Sequence, residues 1–233
     1  KLKNFKIFWL NNLNKIKNGP KIFIANEFFD ALPVKQFIKK KNKWYEKIIK
    51  YSKSHKPKFL DTLIDIKKFE KKIGFKISHR QKFIEYSPLS TEYLKLISKI
   101  IKLNSGGLLI IDYGHTDEKM KNTLKSISKH KLSDVLENFS KSDISYDINF
   151  KLIEKIVTKL GLKVNGITSQ KNFLQELGIL ERAEIISKNL PFSEKANIYF
   201  RVKKLIDENA MGKLFKVMFV TKKNIKFKAG FKN

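Results

Sequence analysis

Residues 106–115 read Gly-Gly-Leu-Leu-Ile-Ile-Asp-Tyr-Gly-His, and the fold class turns on this stretch. Four consecutive large apolar side chains without polar alternation have the length of a strand buried on both faces, which is what parallel sheets require. The run ends abruptly on Asp112 and Tyr113, so the strand delivers polar groups at its carboxyl end. A second stretch repeats the pattern. Lys21-Ile22-Phe23-Ile24-Ala25-Asn26 follows the turn signal Asn18-Gly19-Pro20 and runs into Glu27-Phe28-Phe29-Asp30. In open α/β sheets the ligand lies beyond the carboxyl ends of the strands. Two strand tips bearing acidic and amide side chains therefore predict one shared crevice.

Working outward from these strands, helices and strands alternate. Before the decapeptide, Ser87-Pro88-Leu89-Ser90 opens a helix carrying Leu94, Ile97, Ile100 and Ile101 at helical spacing, which Gly106-Gly107 is expected to stop. Residues 36–40 and 44–51 alternate around Lys41-Asn42-Lys43 and predict a hairpin, to which 74–78 and 82–86 are expected to add strands. Residues 6–10 read as a short strand. After the decapeptide, 117–130 predicts a helix and 131–148 an irregular crossing. Then come a helix over 150–160, a strand over 162–167, helices over 172–177, 181–188 and 193–208, and a last strand over 213–221. The alternation argues for a mainly parallel sheet flanked by helices.

Composition narrows the function classes. The chain has 233 residues, 42% of them hydrophobic, which is enough to bury a core. No stretch has the roughly 18 uninterrupted apolar residues of a membrane-spanning helix, and the sequence from Lys1 lacks a signal peptide's pattern. The absence of cysteine excludes disulfides and thiolate chemistry. Four histidines without ligand spacing give no argument for a metal. The net charge of +28 invites a nucleic-acid reading. Yet only Arg80, Arg182 and Arg201 among the 50 basic residues offer the guanidinium fork that reads phosphates, and the lysines are spread along the whole chain. No specific nucleic-acid site is expected.

The two strand-tip clusters, with further blocks in order, carry a family resemblance. These are Ala25-Asn26-Glu27-Phe28-Phe29-Asp30-Ala31-Leu32-Pro33-Val34 with Gln36-Phe37, then Glu85-Tyr86-Ser87-Pro88, then Ile111-Asp112-Tyr113-Gly114-His115. Gly106-Gly107, His130, the stretch 143–150, Thr168 with Phe173-Leu174, Leu177-Gly178-Ile179, Arg182-Ala183 and Met211-Gly212 with 214–217 complete the set. The chain resembles the MidA-like methyltransferases, which include the mitochondrial complex I assembly factor acting as a protein arginine methyltransferase. The resemblance implies a Rossmann-like α/β sheet with S-adenosylmethionine as cofactor and a protein substrate, a complex I subunit among the candidates. It implies the mitochondrial matrix for a eukaryotic member and the cytoplasm for a bacterial one.

Members of that family hold the cofactor's methionine end on a glycine-rich loop, and here Gly19 is the sole glycine before Asn26. The chain is therefore expected to represent the C-terminal part of the methyltransferase domain, its sheet incomplete at the N-terminus. Within 1–233, residues 35–86 are expected to form an inserted β-rich subdomain and 116–210 a helical, substrate-lid region.

Chemistry singles out six residues. A guanidinium acceptor suits two carboxylates that bind it as a fork, and Glu27 and Asp30 have that spacing at a strand end. The same pair would also suit the positive end of a helix. Asn26 is the polar contact toward cofactor or acceptor, or else a cap for the turn. Asp112, Tyr113 and His115 form the second cluster, with His115 as a base near neutral pH and Tyr113 lining the acceptor pocket. The alternative is a polar strand end turned by Gly114. Glu85 either faces this cleft or pairs with a lysine. A non-catalytic basic module that binds a partner protein or a polyanion is the competing function.

Overall fold

The computed structural model describes residues 5–52, 55–129, 131–137 and 141–231. His130 lies outside them. The chain runs through β1 (Lys21–Asn26), β2 (Lys35–Lys40), β3 (Lys43–Ser52), β4 (His55–Ile64), α1 (Ile66–Ile73), β5 (Phe83–Tyr86), α2 (Pro88–Asn104) and β6 (Gly106–His115). It continues with β7 (Lys125–Ser128), β8 (Lys131–Ser133), β9 (Asp143–Ser145), β10 (Ile148–Asn149), α3 (Phe150–Lys159) and β11 (Leu162–Ser169). Then follow α4 (Gln170–Glu176), α5 (Ile179–Ser187), α6 (Phe192–Ile206), α7 (Met211–Leu214) and β12 (Phe215–Lys222).

The central sheet has the order β1-β6-β12-β11, and β10 also pairs with β6. β1 and β10 run parallel to β6, whereas β12 is antiparallel to both β6 and β11. The sheet is thus mixed rather than mainly parallel, because the chain returns through α7 and inserts its last strand between β6 and β11. β6 is the centre, as its unbroken apolar run requires. Leu108 and Ile110 face a core completed by Leu94, Ile97 and Ile101 of α2 and by Ile153, Ile156 and Val157 of α3. Leu109 and Ile111 face the opposite side, toward Phe173, Val217, Phe219 and Phe231.

The two glycines expected to stop α2 instead begin β6. A Cβ on Gly106, whose φ is +110°, would lie 1.8 Å from the Lys21 carbonyl oxygen, so only glycine lets β1 and β6 meet there. α2 is closed earlier, by Ser105. Its start is as the sequence predicts, with the Ser87 side chain accepting from the Ser90 amide and Pro88 opening the first turn.

Other expectations are corrected. Residues 6–10 form no strand, because they find no ladder partner among the described residues, and Phe8 and Trp9 stand exposed. The hairpin forms as β2 and β3, with β5 on the other side of β2, but β4 rather than 74–78 completes that second sheet. α1, capped by Asp65 accepting from the Lys67 and Lys68 amides and ended by Gly74 at φ +81°, occupies the stretch in between.

The helix expected over 117–130 is absent. Side chains in and just before β5 capture the amides it would need: Gln81 takes the Met120 amide, and Glu85 takes those of Thr123 and Leu124. The chain then forms the small sheet β8-β7-β9.

Candidate functional site

β1 ends at Asn26, and the Glu27 amide continues its ladder by donating to the Ile111 carbonyl at 3.0 Å. Glu27 itself sits at φ +45°, a left-handed conformation that costs a residue with a Cβ roughly 1–2 kcal/mol. This departure turns the chain off the sheet and leaves the Asn26 and Glu27 side chains exposed, with Asn26 Nδ2 donating to Glu27 Oε1 at 3.4 Å. Phe29 then plunges into the core, fully buried.

Asp112 holds this turn from below. Its side chain is 0% exposed. Oδ2 accepts from the Phe29 amide at 3.0 Å and the Asp30 amide at 3.3 Å, and Oδ1 accepts from the Tyr113 amide at 2.9 Å. Burial, followed by the neighbouring Asp30 charge, pushes the Asp112 carboxyl up to about 7, and the three amides pull the other way. Asp30 is raised as well, first by burial and then by Glu27. Two adjacent buried carboxyls that both resist ionising favour one proton between them. Asp30 is 7% exposed, and its buried Oδ1 meets no donor among the described residues other than the proton it shares with Asp112.

Tyr113 lies beside this pair. Burial raises its hydroxyl pKa, and the charges of Glu27, Asp30, Asp112 and Asp147 raise it further. Its ring packs 4.1 Å from Phe215, and the Lys125 ammonium sits 4.9 Å from the ring centroid while pairing with Asp147 Oδ1 at 2.7 Å.

His115, one pleat further along β6, turns away from Asp112. Its Nδ1 accepts from the Asp117 amide at 3.3 Å and lies 3.7 Å from the Asp117 carboxylate. Burial lowers its pKa. A neutral imidazole accepting at Nδ1 carries its proton on Nε2, so as placed it is a donor rather than a base toward anything beyond that nitrogen. Gly114 does not turn the strand. It admits the Ile148 carbonyl, which a Cβ would approach to 2.4 Å.

The structure thus gathers Asn26, Glu27, Asp30 and Asp112 at the adjoining tips of β1 and β6, with Tyr113 on the opposite face of β6 but within electrostatic reach of Glu27 and Asp30, and leaves His115 to Asp117. Glu85 belongs to the junction between sheets, where it accepts from Gln36, Thr123 and Leu124 rather than pairing with a lysine. Lys125 and Asp117 escaped the sequence reading. Both come from the segment read as helical, where only the register of β7 and the Glu85 contacts fix which way they point.

The fold is α/β, and its acidic cluster stands at the carboxyl ends of β1 and β6, the side of the sheet on which open α/β proteins bind their ligands. The chain belongs to the family described as "Putative S-adenosyl-L-methionine-dependent methyltransferase", whose family model matches residues 1–168. It is 28% identical over 224 residues to the zebrafish mitochondrial protein arginine methyltransferase NDUFAF7, covering 92% of this chain and 50% of that protein. It is 30% identical over 178 residues to the Caenorhabditis elegans homolog, covering 76% of this chain and 42% of that one. The chain spans about half the length of these curated relatives.

Two crystal structures of Burkholderia thailandensis proteins share the fold. One superposes with a TM-score of 0.78 at 22% identity, covering 96% of this chain and 60% of that one. The other, bound to S-adenosyl-homocysteine, gives 0.75 at 23%, covering 97% and 57%.

Proposed function

We propose that this chain supplies the acceptor side of an S-adenosylmethionine-dependent protein arginine methyltransferase, acting on a protein such as a respiratory complex I subunit. The observation that carries the reading is the pair of carboxyls at the β1 tip, Glu27 exposed and Asp30 buried beside it and raised in pKa by its charge. A guanidinium has five donors in a fixed fork and fits two convergent carboxylates. Held there, it is oriented with its electron density biased toward the nitrogen left uncontacted.

In this reading Glu27 and Asp30 bind the guanidinium, and Tyr113 lines its plane. Asp112 acts through the backbone, fixing the Asn26–Asp30 turn without touching substrate. His115 donates a hydrogen bond from the rim. The insertion within 35–86 and the region 116–210 flank the acceptor. S-adenosylmethionine supplies the methyl group, and Asn26 is the side chain of this chain available to it. In this reading the cofactor's methionine end is received by a glycine-rich segment outside the residues 26–30 and 112–115 assigned above. The exposed Ile22 and Ile24 on β1, whose only ladder partner among the described residues is β6, fit a sheet that continues beyond β1.

The test is transfer of labelled methyl from S-adenosylmethionine to an arginine peptide by the chain together with the half of the zebrafish relative it does not span. Glu27→Gln and Asp30→Asn are each expected to remove most of the transfer. Transfer untouched by both substitutions would refute the assignment. RNA binding with a steep salt dependence and no transfer would put the basic binding module in its place.

A further inference from the structure

Lys125 combines a ring contact with an ion pair, which no other described lysine does. Its side chain is 26% exposed, its ammonium caps the Tyr113 ring at 4.9 Å, and it is 2.7 Å from Asp147 Oδ1. Its charge also lowers the Asp30 pKa, so it stands within electrostatic reach of the proposed guanidinium fork. An aromatic face plus a carboxylate is how proteins hold an organic cation. Here the cation held is the protein's own. The Asp30 carboxyl, 7% exposed, lies within electrostatic reach of this cation, and the Asp30 carbonyl accepts from the Tyr146 amide next to Asp147.

We propose that the Tyr113 face and the Asp147 carboxylate form a cation subsite, filled by Lys125 in the acceptor-free protein and by a guanidinium or ammonium group of the acceptor in the complex. Lys125 neutralises the crevice while it is empty and competes with weakly bound cations, so only an acceptor that also engages Glu27 and Asp30 displaces it. This deepens the arginine-acceptor reading and rests on it. The ammonium sits on a flexible stem, and its pair and ring contact are both part-exposed, so displacement requires no backbone movement.

The test is an amide-shift titration of the full chain with an acetylated Gly-Arg-Gly amide at low salt, followed at Tyr113. Lys125→Met is expected to bind the peptide roughly tenfold tighter than wild type, the size of one cation–π contact plus one partly exposed ion pair. Lys125→Gln should behave like Lys125→Met, so a folding defect in one variant does not decide the outcome. Lys125→Arg, which keeps the plug, should match wild type. Lys171→Met removes the same charge from the exposed pair with Glu208 and should also match wild type.

Peptide affinity in Lys125→Met and Lys125→Gln equal to or weaker than wild type overturns the subsite. If Asp30→Asn still weakens wild-type binding in that case, the acceptor reading survives without it. If no variant responds to the peptide, both fall.

Discussion

Replacing Asp112 by Asn tests the buried carboxyl pair without changing shape. In the native protein Asp112 accepts three amides and has its pKa pushed up to about 7, against 3.8 for the unperturbed group. A native pKa above the unfolded one means that the folded state binds more protons between those values. Stability from this group is therefore fully present below about pH 4 and lost as pH rises through about 7. Each pKa unit is about 1.36 kcal/mol, so the term is on the order of a few kcal/mol.

Wild type should gain stability on acidification from pH 8 to pH 5, less whatever His115 gives back, since its lowered pKa acts in the opposite sense. Asp112→Asn lacks the titration but keeps His115, so the difference between the two proteins isolates the coupled Asp112–Asp30 pair. The amide also turns a donor toward one of the three backbone N–H groups, costing about 1–3 kcal/mol at any pH. Urea unfolding at pH 5, 6, 7 and 8 should show the wild-type advantage shrinking by a few kcal/mol as pH rises. An advantage independent of pH would show that Asp112 is ionised throughout, and the shared-proton account would fail.

The remaining predictions concern single positions. Glu27→Gly should stabilise the fold by about 1 kcal/mol in urea unfolding by relieving the left-handed φ, while losing affinity for the arginine peptide. Gly114→Ala should cost about 1–3 kcal/mol in the same assay, because its Cβ would meet the Ile148 carbonyl and the Phe150 ring. Glu85→Ala should speed hydrogen exchange at the Thr123 and Leu124 amides while leaving the β1 amides bonded to β6 protected, since it unfastens only the 122–124 segment.

What could be read in the sequence follows from where the determinants lie. β1, α2, β6 and α3 were legible because their signals are local. An apolar run has one partner environment, and Ser87-Pro88 and Asn149 cap their helices within three residues. β4 was hidden by Pro57 and its lysines, and its pairing comes entirely from β3. The segment 117–130 has helical composition, yet its amides are claimed by Gln81 and Glu85 from far away in sequence, which no local pattern encodes.

The same division holds at the site. Glu27, Asp30 and Asp112 were visible as polar strand ends. That Asp112 serves the backbone of 29–30 and that Lys125 fills the space over Tyr113 depend on how three distant segments meet, and His115 answers to Asp117, two residues on, because the chain forms no helix there.

The most direct test is the map of amide shifts caused by the arginine peptide across the whole chain. If the tips of β1 and β6 form one guanidinium site, the shifts concentrate at residues 26–30 and 112–113 and vanish in the Glu27→Gln, Asp30→Asn double variant. Shifts scattered over lysine-rich surfaces, or unchanged in the double variant, would contradict the claim.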